Sequence, residues 1–134
     1  MIKTLRVTMI IYALIGIIVG LASIFAPSQF YALFGIEELP GSTAAQALLT
    51  GLCFVSFGIF LIVAARDPIK HILWVKYAIA FALLMLVGEL YSLNVGYVNL
   101  TEALAGIIVH AVFAVALLAF YPWSRARIGG KTPS

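Results

Sequence analysis

The sequence predicts an all-α fold: a four-helix transmembrane bundle, up-down-up-down, with both termini in the cytoplasm. Three observations predict it. First, the chain is 64% hydrophobic and only 10% charged, with mean hydropathy +1.15. Soluble domains are about half apolar and about a quarter charged, so this chain cannot cover itself with polar surface and the bilayer becomes its solvent. Second, the apolar residues gather in four stretches, about 5–25, 43–65, 72–93 and 101–121. Each is close to the ~20 residues a helix needs to cross ~30 Å of hydrocarbon. Third, four crossings put all eight basic residues (Lys3, Arg6, Arg66, Lys70, Lys76, Arg125, Arg127 and Lys131) on one side, and Glu37, Glu38 and Glu102 on the other. That is the positive-inside pattern. It explains the net charge of +3 and pI near 9.2 as a topology signal and argues against nucleic acid as a partner. The 134 residues form a single integral membrane domain, with the lipid bilayer as its first partner.

The opening MIKTLR and its apolar run resemble a secretory leader. The run Val7–Phe25 exceeds the ~7–15 residues of such a segment, and Pro27 follows the one plausible small residue, Ala26, so a retained first helix is expected. Tyr12, Gly16, Gly20 and Ser23 fall on one stripe of it. Gly16-x-x-x-Gly20 lets a second backbone approach closely, within the bundle or in a dimer. The connector follows. Ser28 as N-cap and Gly35 beyond the end predict a short helix over 29–34, with Phe30, Tyr31 and Phe34 at the outer interface. It is either a plain connection or a lid over an outward cavity. Pro40-Gly41 signals a turn.

In the second span Gln46, Thr50, Cys53 and Phe57 share a stripe, which predicts a polar inward face in its outer half. Cys53 is the sole cysteine, so neither an intramolecular disulfide nor a cysteine metal site is available. Asp67 before Pro68 reads as an N-cap with proline at N1, and His71 as a solvated turn residue. Trp74 marks the cytoplasmic interface of the third span, to which Lys76 snorkels. Ala78, Ala82, Met85, Glu89 and Ser92 lie on one face. Asn94, Gly96 and Asn99 then break the helix, and the short turn makes spans three and four antiparallel neighbours. Ala103, Gly106, His110, Ala114 and Leu117 form the inward face of the fourth span. Tyr121 and Trp123 mark its cytoplasmic end, and the basic tail from Ser124 is expected to be disordered.

Glu89 and His110 are the two ionisable residues well inside apolar segments. A carboxylate there persists only if paired, neutral or facing a polar cavity. Helical rise puts both about 6–12 Å below the outer surface. Ser23, Gln46, Thr50 and Ser92 also lie in the outer half, which predicts a polar chamber lined by these six residues. Within it Glu89 and His110 would pair or share a proton, the chemistry of relays and ligand anchors, or simply tie two helices together. One Glu and one His fall short of the three or four ligands typical of zinc. No Ser-His-Asp set, Walker loop, dinucleotide fingerprint or CxxC occurs, so the sequence leans away from an enzyme and offers no catalytic residue.

The segment LASIFAPSQFYALFGIE, with Pro27, Phe30, Tyr31, Phe34, Gly35 and Ile36, followed by a small-rich second helix and two more spans, resembles the DoxX-like and BphX-like group of small four-helix bacterial membrane proteins. The resemblance extends over nearly the whole chain as four-span architecture and implies an inner-membrane location. Some members of that group look like accessory subunits of quinone-linked oxidoreductases, and the group has no agreed catalytic residues to carry over. The expectation is therefore an accessory or small-ligand-binding module taking a small apolar or amphipathic ligand. The alternatives are a quinone-binding component of a membrane oxidoreductase, with Glu89 and His110 exchanging protons with the ring oxygens, and a proton-coupled carrier. The carrier would work as a homo-oligomer or within a larger membrane complex, since four helices enclose little volume.

Overall fold

The computed structural model describes residues 1–36 and 41–123. The expectations for Glu37, Glu38, Pro40 and the basic tail lie outside those residues. Five helices follow one another: α1 (Ile2–Phe25), α2 (Pro27–Ala32), α3 (Gly41–Ala65), α4 (Ile72–Asn94) and α5 (Leu100–Phe120). No strand occurs among the described residues. The four long helices are each long and apolar enough to cross a membrane. Their outward faces expose large apolar side chains, among them Ile18 at 65%, Leu49 at 63%, Leu84 at 72% and Val115 at 68%. Hydrocarbon accepts such faces and water does not, as befits a small multi-pass membrane protein.

Glycine decides how the helices approach. A Cβ on Gly20 would lie 2.6 Å from the Gly51 carbonyl oxygen, and a Cβ on Gly51 would lie 2.6 Å from that of Gly20. Farther along, a Cβ on Gly58 would lie 2.7 Å from the Ala13 carbonyl oxygen. The two numberings run in opposite senses along this seam, so α1 and α3 are antiparallel and nearly touch backbone to backbone. The Gly16-x-x-x-Gly20 stripe is thus spent on packing inside the chain. α4 and α5 form the second close pair, joined by a turn with Gly96 at φ +77°. The two pairs meet around Leu5, Met9, Leu61, Val75 and Leu117, each 0–1% exposed.

Arg6 holds that end shut. Its Nε donates to the Ala65 carbonyl at 2.8 Å, and its Nη2 donates to the Arg66 carbonyl. The last carbonyls of a helix have no intrahelical donor, and a cation there also suits the helix dipole.

Three local expectations change. The short helix starts at Pro27, which needs no N–H partner in a first turn. Ser28 is therefore inside it, and Ala26 occupies the N-cap position. Asp67 does not cap α4. Its Oδ1 accepts from the Lys70 N–H at 3.1 Å within a turn, and His71 stands at the N-cap. The inward face of α3 is Ala47, Gly51, Gly58, Leu61 and Ala65, whereas Gln46, Thr50 and Cys53 are exposed. Of the expected stripe, Phe57 alone is buried. The small residues must face α1 for the backbones to meet, and that turns the polar stripe outward.

Candidate functional site

The site is built where the close pairs diverge. On α5, Asn99 and Glu102 start the helix with a capping box, side chain to backbone in both directions at 2.8 and 3.0 Å. This reciprocal cap satisfies two otherwise orphaned donors and sets the rotation of α5. Two turns on, His110 is 7% exposed and turned inward.

His110 Nδ1 lies 3.0 Å from Oε1 of Glu89 on α4. With Glu89 ionised, the carboxylate only accepts, so Nδ1–H donates. Gly106, one turn before His110, is what makes room. A Cβ there would run into the Glu89 carboxylate, so the glycine is a slot for the acid. The second carboxylate oxygen, Oε2, is buried and has no hydrogen-bond partner.

Tyr12 of α1 completes the polar end. Its ring stacks on Phe113 at 4.4 Å and stands edge-on to His110 at 6.3 Å and to Phe57 at 5.5 Å. Its hydroxyl is buried and unpartnered. Buried polar atoms are nearly always hydrogen-bonded, and an orphan costs about 1–3 kcal/mol. A third such oxygen, Tyr121 Oη, lies in the packed core.

That space is a cavity of about 340 Å³. Gly16 and Val19 of α1, Phe54 and Phe57 of α3, Phe81 and Met85 of α4, and Gly106 and Val109 of α5 form its walls, with Tyr12, Glu89 and His110 among them. Phe30 and Tyr31 of α2, with Phe34 and Ile36 just after it, border it too. The rings expected at the membrane interface therefore also line the cavity. A second recess of about 370 Å³ lies beside it along α4 and α5. Met85, Glu89, Val98, Glu102 and Gly106 belong to both.

Of the six residues expected around one chamber, Glu89 and His110 meet in the main cavity, and Ser92 lines the neighbouring recess. Ser23 is buried away from both, its hydroxyl donating to the Val19 carbonyl at 2.9 Å. Gln46 and Thr50 are exposed and border neither space. Tyr12, Gly106 and the phenylalanines of α3 and α4 line the cavity without having been singled out for it. The signal for Tyr12 was present: it places a phenol on the same stripe as Gly16 and Gly20. Among the described residues, no group of three or more His, Cys, Asp or Glu side chains is placed to hold a metal ion.

The arrangement can grip a ligand that is mostly apolar and carries one polar head. Aromatic walls take the body. The hydrogen-bonded Glu89–His110 pair supplies the polar border. The chain matches no protein-family model, no curated protein and no solved structure.

Proposed function

We propose that this chain is a membrane-embedded binding protein for a small, mainly apolar ligand, held in the cavity between the two helix pairs. The observation that carries the reading is a cavity of about 340 Å³ walled mainly by aromatic and aliphatic side chains, with the hydrogen-bonded Glu89–His110 pair on its border. A cavity of this size is at the lower end of small-molecule sites, ~300–1,000 Å³. The positive-inside charge pattern supports an up-down-up-down course with both termini in the cytoplasm, and so a cavity in the outer half of the bilayer. The resemblance to the DoxX-like and BphX-like group supports an inner-membrane accessory role.

A quinone head is the second reading. Its ring oxygens would accept from the Tyr12 hydroxyl, and flat rings suit the phenylalanine walls.

Thermal unfolding of the purified protein in detergent tests both. A ligand of the right class raises the melting temperature by mass action. Glu89→Gln, His110→Ala and Tyr12→Phe should each reduce that rise. Quinone analogues that stabilise the wild type and lose their effect with Tyr12→Phe would favour the second reading. A protein whose melting ignores every small apolar compound would refute the binding role.

A further inference from the structure

We infer that the cavity is filled sideways from the bilayer, through the recess between α4 and α5, with the Met85 side chain as its gate. The inference rests on the binding reading above and names the source of the ligand: an apolar compound dissolved in hydrocarbon rather than in water.

The recess lies against the cavity. Met85, Glu89, Val98, Glu102 and Gly106 border both spaces and so form the partition between them. The remaining walls of the recess come from α4 and α5 alone. Its rim is on the outward flank of the bundle. Leu84 there is 72% exposed. Gly88 is exposed too, and a Cβ built on it would meet nothing within 4 Å. On a helix that crosses the membrane such a flank meets hydrocarbon.

The other seams carry close contacts. Between α3 and α4, Phe57 stacks on Phe81 at 4.3 Å and Phe54 stands edge-on to Phe81 at 5.9 Å. Between α1 and α5, Tyr12 stacks on Phe113 at 4.4 Å. α1 and α3 meet backbone to backbone at Gly20 and Gly51. On the α2 side, Phe30 and Phe34 border the cavity with ring centroids 5.3 Å apart. The recess is walled instead by small residues, Gly88, Ala103 and Gly106.

Within the partition one side chain is free to swing. Gly106 has none. Glu89 is bonded to His110 at 3.0 Å, and Glu102 accepts from the Asn99 N–H at 2.8 Å. Val98 is branched at Cβ and stiff. Met85 is unbranched, with three rotatable bonds and no polar tie, so it can move aside while its neighbours stay in place.

Fluorine NMR of the protein in lipid nanodiscs, with fluorobiphenyl, fluoronaphthalene and butylfluorobenzene as probes, reads affinity and exchange rates together. Gly88→Phe fills the recess without reaching the cavity, which Gly88 does not line. It should slow binding and release by about tenfold or more and leave Kd within about twofold. Met85→Ile stiffens the gate and should also slow exchange. It decides the matter should Gly88→Phe fail to fold. Val87→Phe, on the exposed flank of α4 and outside both spaces, should change neither rate, which separates plugging from added bulk. Rates that ignore Gly88→Phe overturn the side entrance and leave the binding cavity standing. Faster release with weaker binding would make the recess part of the binding site, and that too overturns the entrance. If none of the three probes binds the wild type, both readings fall.

Discussion

The two ends of the bundle use the same four helices and reach opposite results. At the end that carries the N-terminus, Leu5, Met9, Leu61, Val75 and Leu117 meet with almost no exposure. At the other end the same helices enclose about 340 Å³. Side-chain size makes the difference. Gly20 and Gly51 draw α1 onto α3, and Gly106 lets the Glu89 carboxylate lie against α5. Each pair closes on itself, and the space between pairs is left to aromatic rings and three polar groups. Where long aliphatic chains replace the glycines, the pairs interlock. The packed end holds the fully buried side chains, and the hollow end holds the cavity.

Substitutions can break that contrast. The largest effect is expected from Leu117→Ala, which empties a fully buried position. It should cost about 1–3 kcal/mol, the cavity share of a large-to-small core change, since side chains stay in hydrocarbon when the helices part, read by reversible unfolding in mixed micelles; a smaller cost would mean that the packed end is loosely filled. Gly51→Ala comes next. Its Cβ meets the Gly20 backbone, which cannot rotate away, so α1 and α3 must part at about 1–3 kcal/mol.

The remaining predictions sharpen the contrast at the hollow end. Asn99→Ala removes the cap of α5 and should cost about 1 kcal/mol, with a matching loss of amide protection in the first turn. Gly106→Ala meets only the tip of the Glu89 side chain, which can move. It should cost no more than about 0.5–1.5 kcal/mol, the worth of the hydrogen bond it disrupts, and the His110 imidazole signals should shift in the NMR spectrum. The double change Gln46→Leu with Thr50→Val should alter stability by less than about 0.5 kcal/mol, as for exposed positions without special contacts. A larger loss would mean that this stripe meets a partner within the membrane.

Legibility followed the same division. The spans were readable to within a few residues because apolar length is a local property. The inward faces of α1, α4 and α5 were readable because small residues and an ionisable group coincide on each. The face of α3 was misread because polarity was used to find it. Gln46 and Thr50 suggested one phase, and Gly51 and Gly58 required another. The cavity walls escaped notice because a phenylalanine facing a cavity and one facing lipid look alike in sequence.

By itself the sequence determined an all-helical chain with four segments suited to the bilayer, and the two charged residues that most needed a reason to be there. Only the tertiary structure decided that Glu89 reaches His110 beside Gly106, that Tyr12 joins them, and that Gln46 and Thr50 stay outside. The reason is physical. In water, burial separates inside from outside by hydrophobicity. In hydrocarbon both sides of a helix are apolar, and helix association depends on close packing and a few polar contacts. Which residues meet is therefore settled by how closely backbones can approach, a property of pairs of helices that one helix read alone does not contain.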